Sequence, residues 1–149
     1  MKNLFEAAAV EEVKTRMAQL RPGSPRQWGT MTPGQALAHY SAQMEMVLGG
    51  SFQPRSLLGR VFGRFAKARL LNDEPIPPNM PTDKNFVVKD ARDLDVERKR
   101  LLVLIDRFGA RGPTGCTNHP HSFLGRMTPL EWATLMYKHL DHHLRQFGV

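Results

Sequence analysis

Two histidines four residues apart, His139 and His143, lie in the middle of an apolar helical stripe, and this constrains the fold more than any other feature of the chain. Thr128-Pro129-Leu130-Glu131 opens the helix that carries them. Threonine caps it, glutamate answers the cap, and proline occupies the first helical position, where its missing N–H costs nothing. Trp132, Leu135, Met136, Leu140 and Phe147 then recur at helical spacing, and Gly148 is a natural terminator. The two imidazoles share one face, roughly 6 Å apart along the axis. Lys138, Asp141, His142 and Arg145 fall elsewhere and are expected largely on the solvated side. His142 is about 100° round from His143 and is left out of the set. Imidazoles turned into an apolar core need partners, because burying an unpaired polar group is costly.

Three further long helices are written in the same way. Asn3-Leu4-Phe5-Glu6 reads as a capping box ahead of Val10, Val13, Met17 and Leu20, with Arg21-Pro22-Gly23 as the stop. Thr32-Pro33-Gly34-Gln35 opens a second helix that should run to about Leu48, before Gly49-Gly50. A third should begin near Asp93, carry Val96, Leu101, Leu104 and Ile105, and stop at Gly109. Strand signals are poor; Asn85–Lys89 is a short β-prone run expected to be irregular or isolated. Residues 73–83, with Pro75, Pro77, Pro78 and Pro81, read as a stiff loop inside one domain spanning 1–149.

Connection lengths carry topology. About forty residues separate the second long helix from the third, far more than a tight antiparallel turn needs. A long crossover lets those two helices lie parallel, and the basic segment 55–71 should supply a short helix within it. His39, near Ala36, Tyr40, Gln43 and Val47, lies on or beside the inward stripe of the second helix. It sits roughly 10 Å past the start of its helix, while His139 and His143 sit roughly 12 and 6 Å before the end of theirs. If the second and fourth long helices run antiparallel, all three imidazoles reach nearly one level. The expectation is therefore an all-α four-helix bundle with a long crossover between helices two and three and with helices two and four antiparallel. An H-x3-H alone reads first as a pair of hydrogen-bonded core or rim histidines; the addition of His39 brings the metal reading level with it.

At these residues the chain resembles a family. Met31-Thr32-Pro33-Gly34-Gln35-Ala36-Leu37-Ala38-His39 is similar to the second-helix histidine segment of the DinB/YfiT-like superfamily. His139-Leu140-Asp141-His142-His143-Leu144-Arg145-Gln146 resembles its fourth-helix signature, whose first and last histidines bind metal. His119-Pro120 through Gly125, leading into Met127-Thr128-Pro129, is similar to the loop before that helix. The likeness spans nearly the whole chain and is closest to a branch of uncharacterised bacterial proteins. It implies a four-helix bundle, a divalent metal on His39, His139 and His143, and kinship with transferases and isomerases that use mycothiol or bacillithiol.

The function readings that result are two. One is a divalent-metal-dependent enzyme, either a low-molecular-weight-thiol S-transferase or a metal-assisted hydrolase acting on a small molecule. Zinc or nickel leads as the ion, with iron, manganese or cobalt as alternatives. His119 is the candidate catalytic residue at the mouth of the site, weighed against a loop histidine making only local hydrogen bonds. Gln43 and Gln146 could fix imidazole tautomers. The other reading is a non-catalytic metal-binding or interaction module that works as a homodimer, since Glu45 and Asp141 do not share the histidine face.

Composition narrows the surroundings. Cys116 is the only cysteine, which suits a reducing, cytoplasmic setting and excludes a cysteine zinc cage; it is expected to be a loop thiol without catalytic importance. No apolar run approaches the roughly 20 residues of a spanning helix, and Met1 to Thr15 does not read as a secretory signal. The formal charge is +7, yet much of it is local: Arg55, Arg60, Arg64, Lys67 and Arg69 share a stretch, 51–72, that holds no acid. No nucleic-acid partner is expected from that alone. Leu57, Val61, Phe65 and Ala68 form a stripe in the segment, expected to pack on the bundle with the arginines in solvent and no membrane contact.

Overall fold

The computed structural model describes residues 1–50, 52–81 and 83–149; Ser51 of the basic segment and Thr82 of the proline-rich stretch lie outside it. The described residues form an all-helical structure without strands. Its helices are α1 (Ala7–Gln19), α2 (Pro33–Val47), α3 (Leu57–Leu70), α4 (Leu94–Arg111) and α5 (Pro129–Gln146), with two short 3-10 turns, Lys84–Phe86 and Pro113–Gly115. The β-prone run at 85–89 is irregular apart from the first of these turns.

Local chemistry explains the ends. Thr32 and Thr128 both form complete capping boxes, with Gln35 and Glu131 answering, and a proline follows each cap. The first helix departs from expectation. Asn3 Oδ1 accepts from Phe5 N at 3.0 Å and its amide donates to Glu6 at 2.6 Å, so Asn3 builds a turn and the helix starts later, at Ala7. The fourth helix runs past Gly109 to Arg111, because it is Gly112 that takes the left-handed backbone (φ 59°) at the C-cap.

One buried cluster draws on α1, α2, α4 and α5, with Trp132, Tyr40, Phe108 and Leu140 at its centre. Contacts between α2 and α4 climb both helices together: Gly34 against the Arg92 carbonyl, Glu45 with Arg100 at 2.8 Å, and Arg111 donating to Leu48 O at 3.1 Å. Contacts between α2 and α5 run in opposite order. Gln146 donates to Trp28 O at 3.0 Å ahead of α2, His39 meets His139 at 3.2 Å, and Tyr40 donates to Met136 O at 2.8 Å. On the other side Leu4, Glu12 and Arg16 meet Ala133, Tyr137 and Asp141 in ascending order.

Two faces are the reverse of what the pattern suggests. Lys138 and His142 are buried, each 7% exposed, because residues 72–76 lie across that side of α5. Lys138 donates to the carbonyls of Asn72 and Glu74, and His142 Nδ1 donates to Ile76 O at 3.2 Å. On α3 the apolar stripe points outward: Leu57, Val61 and Phe65 are 78%, 62% and 74% exposed, and Ala68 is exposed too. The buried residues of α3 are Gly59 and Gly63. A Cβ on either would fall 2.6 or 2.3 Å from the Phe123 carbonyl oxygen, so the missing side chains are what let the helix backbone approach.

Candidate metal centre

His39 reaches the interior from the middle of α2, and His139 and His143 from the last two turns of α5. Their ring nitrogens converge: His39 Nε2 is 3.2 Å from His139 Nε2, and His143 Nε2 is 2.9 Å from the same atom. The donor atoms of all three lie within 4.8 Å of one another. His39 and His143 are buried, whereas His139 keeps part of its surface in contact with solvent. The three residues singled out from the sequence are thus brought together and could hold a metal ion.

The outer nitrogens decide which way the lone pairs face. His39 Nδ1 lies 2.8 Å from Phe86 O, and a carbonyl can only accept, so Nδ1 carries the proton and Nε2 presents a lone pair inward. His143 Nδ1 lies 2.9 Å from Gln146 Oε1. The amide of Gln146 is oriented by donating its other end to Trp28 O, so His143 too is protonated on Nδ1. His139 Nε2 can offer one proton to the His143 lone pair, and the Gln43 amide, 3.1 Å from His39 Nε2, can donate to the other. A single cation where the three Nε2 atoms meet would satisfy all of them, and the donor set fits a borderline divalent ion.

Electrostatics points the same way. Burial is the main cause that lowers the pKa of His39, opposed by its hydrogen bond to Phe86. Burial, then the neighbouring His143 and His39, hold His139 well below the usual histidine range. Burial, then His39, pushes His143 down to about 3. All three are neutral near pH 7, the form in which imidazole binds a metal.

Around the trio the expected residues divide. Gln146 holds an imidazole from outside, as a tautomer-fixing partner would. Gln43 instead brings its amide to 3.1 Å from His39 Nε2, at the inner edge of the cluster. His142 stacks edge-on to His143 but bonds to Ile76 O, away from the convergence point. His119 is stacked on Phe52, from the segment between α2 and α3, with ring centroids 4.3 Å apart, and its Nδ1 donates to Pro120 O at 3.0 Å; neither contact reaches the trio. His121, two residues on, lies deeper, beside Trp132. Its Nδ1 accepts from the backbone N–H of Phe123 and Leu124, and burial lowers its pKa to about 4. Cys116 is half-buried, which raises its thiol to about 11 and keeps it protonated near neutral pH. Sequence reasoning missed Phe86 O, because a backbone carbonyl carries no side-chain signal. It also missed Trp28, which enters through its backbone.

The family model described as "Protein of unknown function (DUF1569)" matches residues 2–148, and the chain belongs to that family. No curated protein matches the chain, and no solved structure does.

Proposed function

We propose that the protein is a divalent-metal-dependent enzyme whose ion sits on His39, His139 and His143. The domain would be a DinB/YfiT-type four-helix bundle made of α1, α2, α4 and α5, with the long crossover between α2 and α4. The observation that carries the reading is the convergence of three inward Nε2 atoms, two of them fixed from outside by Phe86 O and Gln146 Oε1. Three protein ligands leave coordination positions free, which is the pattern of catalytic rather than structural zinc sites. The partial exposure of His139 offers a small molecule its approach. A bound cation supplies Lewis-acid chemistry, making a water or a thiol a better nucleophile near neutral pH. His39, His139 and His143 would hold the ion, with Phe86 O and Gln146 Oε1 orienting the first and last of them. Transfer of a low-molecular-weight thiol is the leading reaction and metal-assisted hydrolysis its variant, in a reducing cytoplasm. His119, exposed on its loop, is the candidate group for handling a substrate proton.

One observation favours the second reading, a non-catalytic metal-binding module. The cluster contains no carboxylate for acid–base work: Glu45 is paired with Arg100, and Asp141 with Arg16 and Arg145. The test begins with elemental analysis of protein purified without added metal. It continues with bacillithiol, mycothiol and glutathione offered with an electrophilic acceptor, before and after chelation. Turnover that disappears with the metal, returns with it and is absent from His139→Ala supports the enzyme. A metal-loaded protein with only the His139→Ala background across the panel leaves the binding module in its place.

A further inference from the structure

The outer face of α3 has no partner among the described residues. Leu57, Leu58, Val61, Phe62 and Phe65 recur at helical spacing and stay between 54% and 78% exposed. Five large apolar side chains on one helix face forgo the burial that stabilises the rest of the fold, and a contiguous patch of this kind marks an interaction surface. Around the helix, at 100° per residue, three strips follow one another. Gly59 and Gly63 dock against Phe123. The apolar five occupy the arc on one side of the glycines, and Arg60, Arg64 and Lys67 the arc on the other, so cations border the apolar strip along its far edge.

Those cations open onto a recess of about 370 Å³ lined by Arg55, Arg60, Arg64, Lys67 and Arg126, together with Gly125. No acidic residue among the described ones lines it. Lys67 is shared with Glu131 at 2.9 Å, but the Nε of Arg55 is buried without a hydrogen-bond partner. Arg55 already donates from a terminal nitrogen to Gly59 O at 2.8 Å, and an anionic oxygen in the recess would meet the other cations that line it.

We propose that α3 is the docking face for an anionic lipid bilayer, with the apolar strip entering the acyl boundary and the recess taking a headgroup phosphate. Charge decides for lipid over a second copy of the chain. A second copy docking through the same face would bring no acid to Arg60, Arg64 and Lys67, because residues 51–72 hold none. An anionic leaflet offers hydrocarbon and phosphate side by side, which is the pattern α3 presents. No helix among the described residues is long and apolar enough to cross a membrane, so the attachment is to one leaflet. The inference is independent of the histidine cluster.

The test is flotation of the full chain with vesicles of phosphatidylcholine alone and of equal parts phosphatidylcholine and phosphatidylglycerol. Binding is expected to the anionic vesicles and to fall with salt. The double variant Val61→Asn with Phe65→Asn changes only exposed residues and should lower that affinity at least about ten-fold, with an unchanged circular dichroism spectrum. Arg60→Gln with Arg64→Gln should weaken it about five-fold for each charge, whereas Lys99→Gln with Arg107→Gln, the same charge removed from α4, should not. Three outcomes would overturn the proposal. Wild type could fail to float with anionic vesicles at low salt. The asparagine variant could float as well as wild type, which means mere adsorption of a basic protein. Or sedimentation could show a dimer that the asparagine variant abolishes, which means a second copy covers the face.

Discussion

The pair His142 and His143 separates metal binding from packing. Both are buried, but only His143 turns Nε2 toward His139 and His39, while His142 is held by Ile76 O. An ion bound only by the folded state stabilises it by about 2.7 kcal/mol when the free metal is 100 times Kd. For a chain of this length, each kcal/mol is worth roughly 2–4 °C in melting temperature, so wild type should gain about 5–11 °C under that condition. His143→Ala removes one of three ligands and should lower affinity by more than about 100-fold, the upper range for merely outer partners, erasing the gain. His142→Ala should keep the gain but start lower, by about 1–3 kcal/mol, because it deletes a packed ring and its hydrogen bond. The assay is thermal unfolding followed by circular dichroism, with and without zinc or nickel, alongside equilibrium dialysis of the ion. Loss of the metal-induced gain in His142→Ala, or equal losses in both variants, would refute the assignment of the inward face.

Gln146→Leu leaves the three ligands in place but frees His143 Nδ1, and metal affinity measured by dialysis should fall about 10–100-fold. Gly63→Ala would stabilise an ordinary helix by up to about 1 kcal/mol, yet here it should destabilise, and faster amide exchange in α3 is the measurement. His121 has a folded pKa of about 4 against about 6.5 when unfolded, so its contribution is full above pH 6.5 and is lost as pH falls toward 4. His121→Asn, which can still accept from Phe123 N, should make metal-free denaturation less pH-dependent across that window by as much as about 3 kcal/mol.

The histidine trio was legible because three independent regularities coincide on the same residues. The four-residue spacing puts His139 and His143 on one face, the apolar stripe turns that face inward, and the capping boxes at Thr32 and Thr128 fix the helix origins from which heights are counted. Each cap is a local contest that Thr-x-x-Gln or Thr-x-x-Glu wins wherever the chain goes. Asn3 shows the limit. Its side chain had a competing acceptor role in a tighter turn, bonding Phe5 N two residues on, and the helix start moved to Ala7. The atoms that orient the site lay beyond this kind of reading. Phe86 O reaches His39 from 47 residues away and Trp28 O reaches Gln146 from 118, and no periodicity links either pair.

The α3 stripe was read with its polarity reversed, and the cause is physical. Periodicity reports that a helix has an apolar side; it assigns that side to the core only if burying it is the best contact on offer. Gly59 and Gly63, four residues apart, make a competing face, where the backbone itself closes on Phe123 without a side chain between them. Close approach of that kind gathers dispersion contacts and is available only where the Cβ atoms are missing. Once the glycine face is against the protein, Leu57, Val61 and Phe65 must point away, because at 100° per residue they cannot share its arc. Burial of Lys138 and His142 follows a related rule. The backbone carbonyls of Asn72, Glu74 and Ile76 supply acceptors that the polar side of α5 can use in place of water, so that side is covered without leaving a donor unpaired. A polar face is therefore a surface only while nothing with matching acceptors lies down on it, and an apolar face belongs to the core only while nothing smaller packs better.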